Sequence, residues 1–315
     1  MTEKDQPEGQ EHLSSEQDSA SIEPLLAAIK KQHGDALLGI LVYGSWLRGK
    51  RDTMLDFYVL VEDYHTLDSA WQGWMCRLLP PNVYQIHHQA DPGDADSTDL
   101  RAKYALLTLK QFGRAMEHDF HSYFWARFAQ PCEILFVRDE ASRTALQNAF
   151  KAASATFMQR VLPTLPDHFS SRDLWIGGLS RTYRCELRTE SSNRADSLYG
   201  FNPDYYDEAT RAMAAAQQTG FSAIFEGDSY CNNSSNIARK LSATSWWLRR
   251  VQGKLLSMLR LMKAALTFND ALQYLLWKIE RHTGIYIEPR PRQLKYPLIF
   301  AWPLLWKLYR RGAFR

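Results

Sequence analysis

The apolar positions of this chain change their period from one end to the other. Leu37–Tyr43 is an unbroken apolar run of strand length that stops at Gly44-Ser45, and Leu55–Val61 is a second such run. Runs of this kind predict buried strands, here joined by a Gly-Ser turn and the short basic segment 46–51. Ahead of them, Ile22, Leu25, Leu26 and Ile29 keep helical spacing over residues 22–32, and Gly34 ends it. Helical spacing returns over 64–79 and breaks at Leu79-Pro80-Pro81-Asn82. Residues 83–88 and 103–109 read as further strands, separated by a polar loop over 91–99. Helices are expected over 117–130 and 139–162, around a short strand at 133–137, while 173–191 suits helix and strand equally. The sum is a mixed α/β core with a helical region attached.

Beyond Asn236 the pattern is that of a long cationic helix. Leu248, Val251, Leu255, Leu259, Met262 and Leu266 fall in one narrow stripe, with Arg249, Arg250, Lys254, Arg260 and Lys263 on the opposite half. Leu256 and Leu261 interrupt the basic side. The stripe has two placements open to it, against the rest of the protein as core or against lipid.

Charge sharpens this division. The whole chain of 315 residues carries a formal charge of +3, yet residues 1–235 sum to −10 and residues 236–315 to +13. Five of the ten tryptophans (Trp246, Trp247, Trp277, Trp302 and Trp306) lie in the basic part. A basic, aromatic-rich segment is an electrostatic address for a polyanion, either nucleic acid or an anionic membrane. Residues 296–306 form the longest apolar run, eleven residues containing Pro297 and Pro303 and flanked by Lys295, Lys307, Arg310 and Arg311. It is well short of the roughly 20 residues of a spanning helix, and its composition is that of an interfacial anchor. The four cysteines are about fifty residues apart, without zinc spacing, so a reducing compartment is expected. Residues 1–22 are acidic and aperiodic and read as a disordered arm without the features of a signal or transit peptide.

The candidate chemistry sits at the first strand pair. A glycine lets the backbone approach a phosphate, and the amide and hydroxyl of the following serine can donate to its oxygens. Asp56, displayed from the next strand, can hold a magnesium ion against the same triphosphate. Arg48, Lys50 and Arg51 lie where they could neutralise phosphate charge. A plain hairpin turn with a solvated basic loop accounts for the same residues. His87-His88 and the pair His118 and His121, read on one helix face, lack a third ligand and are not expected to bind metal.

Gly44-Ser45 followed by an acid-bearing strand resembles the polymerase-beta-type nucleotidyltransferase superfamily. Within it, Tyr43-Gly44-Ser45, Met54-Leu55-Asp56-Phe57, Leu79-Pro80-Pro81-Asn82-Val83-Tyr84 and Lys103-Tyr104 look like the mitochondrial-type phosphatidate cytidylyltransferase (translocator-maintenance) family. Arg127-Phe128-Ala129-Gln130-Pro131, Gly178-Leu179-Ser180 and Glu186-Leu187-Arg188 continue the likeness over residues 36–190. The chain departs from the pattern at Met54, where the superfamily usually has a second acid, at Gln130, where the family tends to have lysine, and at Glu186, in place of an aspartate.

The resemblance implies an α+β fold: a nucleotidyltransferase-type mixed sheet, an attached helical region for which a winged helix is one form, and a basic C-terminal membrane-docking segment. It divides the chain into the arm 1–22, a core 23–138, a helical region 139–235 contributing to the active site, and a membrane-associating segment 236–315. It also implies transfer of cytidylyl from CTP to phosphatidic acid, with Mg2+ or another divalent ion, on the inner, cytoplasmic face of a membrane. Asp56 becomes the principal metal ligand and Glu186 a second one. Gly44, Ser45, Arg48 and Lys50 become the triphosphate cradle, and Lys103 and Arg188 phosphate clamps. The competing expectations are a nucleotidyltransferase acting on nucleic acid or a small molecule, and a non-catalytic membrane adaptor on a degenerate fold.

Overall fold

A computed structural model describes residues 16–49, 54–65, 67, 70–88, 100–187, 193–216, 221–223, 229–267 and 310. Its first body is a five-stranded mixed sheet built from β1 (Leu37–Tyr43), β2 (Leu55–Val61), β3 (Asn82–His88), β4 (Leu100–Thr108) and β5 (Cys132–Val137), in the order β3-β4-β2-β1-β5. β1 pairs antiparallel with both β2 and β5, β3 pairs antiparallel with β4, and β2 with β4 is the parallel pair. β1, and β2 beyond Asp56, are apolar on both faces because both faces are covered.

On one face lies α1 (Glu16–His33), which buries Ile22, Leu25, Leu26 and Ile29 with Val42, Phe57, Val59 and Leu106 of the sheet and Cys76 of α2 (Ala70–Leu78). On the other, α3 (Leu109–His118), α4 (Trp125–Phe128) and α5 (Glu140–Val161) pack Phe112, Trp125, Phe128 and Phe150 against Leu41, Tyr58 and Leu60.

A second body follows α5 without a break in the core. It comprises β6 (His168–Ser170), α6 (Ser171–Arg184), α7 (Arg194–Phe201), α8 (Pro203–Ala215), β7 (Phe221–Ala223) and β8 (Ser229–Asn232). Its three strands are antiparallel in the order β6-β8-β7. A helix, a strand, helices and a closing two-stranded ribbon, with the first strand beside the last, is the connectivity of a winged helix. Trp175 of α6 stacks on Phe157 of α5 at 4.6 Å and donates to the Tyr206 carbonyl at 3.0 Å, joining the two bodies through one continuous core.

Several expectations need correcting. The acidic arm ends earlier than residue 22, because α1 begins at Glu16 and Ile22 is 1% exposed against the sheet; residues 1–15 lie outside the described residues. The helix expected over 117–130 is two helices, α3 and α4. Thr108 starts α3 early with a capping box to Gln111, and extended backbone at Asp119 ends it. His118 and His121 therefore do not share a helix, and each faces its own acid, Glu117 at 3.5 Å and Asp119 at 3.2 Å. The ambiguous stretch from 173 is helical, started by a capping box between Ser170 and Asp173. The polar loop over 91–99, Lys50, Arg51, Arg188 and residues 268–309 lie outside the described residues.

The last described helix, α9 (Asn236–Thr267), is 32 residues long and docks by its basic side. Arg249 Nε donates to the Phe120 carbonyl at 2.9 Å, Arg260 Nε to the Pro80 carbonyl at 3.1 Å, and Lys263 Nζ to the carbonyls of Leu79 and, at 2.6 Å, Pro81. The cause is the irregular backbone beneath. Buried carbonyls outside any ladder need donors, and long cationic side chains supply them. Trp246 is buried on the same side, where its indole donates to the Arg160 carbonyl at 3.0 Å.

Candidate active site

β1 delivers the chain into a turn that only a few residue types tolerate. Gly44 has φ +95°, in the region L side chains rarely adopt, and a Cβ placed on it would stand 3.9 Å from Asp56 Oδ2. The turn and the carboxylate are therefore immediate neighbours, as a shared ligand requires. Ser45 leads into a short 3-10 turn, Trp46–Arg48, anchored by buried Trp46 and Leu47 and closed by Gly49 at φ +76°. Arg48 leaves this turn partly exposed, and its charge reaches Tyr206 of α8 in the winged-helix body.

Asp56 lies on β2 directly beside Lys103 of β4 in the parallel register. Lys103 Nζ is 2.8 Å from Asp56 Oδ1, with both side chains partly buried. At that distance the ammonium is the direct counter-ion of the carboxylate. Gly44, Asp56 and Lys103 thus form one cluster, with Ser45 beginning the turn that follows Gly44.

Two residues along β2, on the same face, Tyr58 begins a second cluster. Its hydroxyl accepts from Arg127 Nη1 at 2.7 Å, while Arg127 Nη2 is 3.4 Å from Glu186 Oε2. The Arg127 guanidinium lies 5.3 Å from the ring centre of Tyr43 and 4.3 Å from that of Tyr123, and Arg260 of α9 stands 3.9 Å over the same Tyr123 ring. Burial acts to discharge Arg127, but the phenols of Tyr43, Tyr58 and Tyr123 and the Glu186 carboxylate outweigh it and hold the guanidinium charged. Burial likewise opposes ionisation of Tyr123, yet Arg127 and Arg260 bring its hydroxyl below the ordinary tyrosine value. Tyr43 joins the clusters: burial pushes its hydroxyl up to about 12, with Arg127 and Lys103 working against burial and Asp56 with it.

Glu186 is accordingly engaged by Arg127, which makes its carboxylate the counter-ion of a buried arginine. Among the described residues no three His, Cys, Asp or Glu side chains gather as a metal-holding group. Asp56 alone still suits magnesium, which is commonly held by one or two carboxylates with substrate phosphate oxygens and water completing its shell.

The sequence missed Tyr43, Tyr58, Tyr123, Arg127 and Arg260 as site residues. Tyr58 was within reach of the period-2 rule, being two positions from Asp56 on a strand. Arg260 gave no such signal, because its contact spans more than a hundred residues of chain. The chain matches no known protein-family model and no curated protein sequence.

Proposed function

We propose that the chain is a nucleotidyltransferase that binds a nucleoside triphosphate between the Gly44-Ser45 turn and Asp56. More particularly, we read it as a peripheral phosphatidate cytidylyltransferase that converts CTP and phosphatidic acid into CDP-diacylglycerol and pyrophosphate, a step of phospholipid biosynthesis. The observation carrying the proposal is the meeting of a glycine at φ +95° with the Asp56 carboxylate, Lys103 Nζ standing 2.8 Å from that carboxylate.

In this reaction a phosphate oxygen of phosphatidic acid forms a bond to the α-phosphorus of CTP. The bond from that phosphorus to the bridging oxygen breaks, and pyrophosphate leaves with its electron pair. The attacking phosphate is already anionic near neutral pH, so positioning and charge neutralisation do most of the work. Gly44 lets the backbone approach the triphosphate, and Ser45 offers its amide and hydroxyl. Lys103 and Arg48 supply fixed positive charge, and Arg127 fixes Tyr58 and Glu186 as a rigid wall. Magnesium, held by Asp56, would neutralise the triphosphate when bound. Arg188 and Lys50 keep their proposed roles as phosphate contacts. The proline- and tryptophan-rich basic end of the sequence favours a lipid acceptor over a nucleic acid. No helix among the described residues is long and apolar enough to cross a membrane.

The test is to incubate purified protein with CTP, magnesium and phosphatidate vesicles and to measure CDP-diacylglycerol and pyrophosphate. Both products are expected, with Asp56→Ala lowering the rate at least about a hundredfold. Transfer to RNA or a soluble acceptor alone would replace the lipid reading. Vesicle binding without turnover would replace the enzymatic one.

A further inference from the structure

Among the described residues, the docking of α9 leaves the apolar side of an amphipathic helix exposed. Arg249, Arg260 and Lys263 are turned inward, while Leu248 is 46%, Val251 51% and Leu255 55% exposed. Ile237, Leu241, Trp247, Met258 and Leu259 extend the same exposed stripe, which runs about 33 Å from Ile237 to Leu259. A continuous apolar surface of this length on a protein marks a contact with another apolar phase or partner.

Charge decides which. Asn236–Thr267 contains seven Lys and Arg and no Asp or Glu. Lys240, Arg250 and Lys254 are exposed alongside the stripe. Two copies packed stripe to stripe would bring these bases together with no acid on α9 to pair them, whereas coiled-coil partners rely on opposite charges at the seam edges. An anionic bilayer offers both an apolar interior for the stripe and negative headgroups for the flanking bases.

We propose that the outward stripe of α9 is the surface on which this protein seats itself on an anionic membrane, with Leu248, Val251 and Leu255 at its centre and Lys240, Arg250 and Lys254 at the headgroups. The proposal rests on the reading of a bilayer-borne substrate only for its purpose, and it names the partner of the same site. Arg260, on the inner side of the same helix, stands on Tyr123, whose ring also carries Arg127. A bilayer against the outer side of α9 would therefore lie about one helix diameter, roughly 10 Å, from the wall of the candidate site.

The experiment floats the full-length chain with vesicles of phosphatidylcholine and phosphatidylglycerol, and with phosphatidylcholine alone, comparing wild type with Val251→Glu/Leu255→Glu and with Arg250→Gln/Lys254→Gln. Thermal shift with CTP and magnesium is measured on each protein as a separate readout of nucleotide binding. Wild type is expected to float with the anionic vesicles, the Glu variant to lose that binding at least about tenfold, and the Gln variant to lose the preference for anionic lipid. The CTP shift is expected to be unchanged in all three; its absence throughout would count against the nucleotide site while leaving docking intact. Undiminished flotation of the Glu variant would overturn the proposal. So would a wild-type dimer in sedimentation that the Glu variant disperses, which would assign the stripe to a second copy. A Leu255→Cys thiol that resists maleimide in the absence of vesicles would show that the protein covers the stripe itself, and would also overturn it.

Discussion

Arg127 is the buried charge around which the second cluster is arranged, with Tyr58 at 2.7 Å, Glu186 at 3.4 Å and two tyrosine rings against its plane. Removing it leaves a carboxylate without its counter-ion in a largely enclosed place. Arg127→Met is expected to destabilise the fold by about 3–5 kcal/mol, measured by urea denaturation. Arg127→Lys should recover little of this, because one ammonium cannot reproduce the fork that meets Tyr58 and Glu186 together. Cys76 gives a pH signature. Burial pushes its thiol from 9.0 up to about 11, opposed by Lys263 and by hydrogen bonds from the Asn82 backbone and Tyr64. The folded state thus holds this proton more tightly than the unfolded one. The stability it contributes is complete below pH 9 and is lost as pH rises toward 11. Urea midpoints across that range should fall less steeply in Cys76→Ala than in wild type, the difference being on the order of 3 kcal/mol. The fall that remains belongs to the other buried hydroxyls and thiols that burial pushes up, Tyr43 among them.

The strands behave as their patterns require, and the long helix does not. β1 and β2 were legible as apolar runs because a strand covered on both faces has no polar side to confuse with anything else. α9 has an equally clear stripe, yet periodicity reports only that two faces differ. Which face meets the protein depends on what the protein presents, and here it presents backbone carbonyls at Phe120, Pro80 and Pro81, which accept from Arg249, Arg260 and Lys263, together with aromatic rings. Gly253 fixes the closeness of this docking, since a Cβ there would run into the Cys185 carbonyl at the end of α6. Alanine favours helix over glycine by about 1 kcal/mol, but forcing a methyl into backbone costs about 1–3 kcal/mol. Gly253→Ala is therefore expected to destabilise by up to about 2 kcal/mol net, with increased solvent exposure of Trp246 by fluorescence quenching.

Taken as one body, the molecule joins a sheet, a winged helix and a basic helix so that the Gly44–Asp56 cluster, the Arg127 cluster and α9 touch in series. If lipid docking is shared between α9 and the basic end of the chain, truncation after residue 293 should reduce flotation on anionic vesicles without abolishing it. Turnover of vesicle substrate should fall while CTP affinity is retained, as measured by calorimetry and product formation. The sequence by itself determined the mixed α/β class, the Gly44-Ser45 turn, Asp56 on the adjoining strand and the amphipathic basic helix, because each follows from local period, backbone permissiveness or charge. Only the tertiary structure decided that Asp56 faces Lys103, that Glu186 answers Arg127 and that α9 turns its bases inward. Those outcomes depend on a parallel register and on buried carbonyls far away in the chain, and no local window contains either.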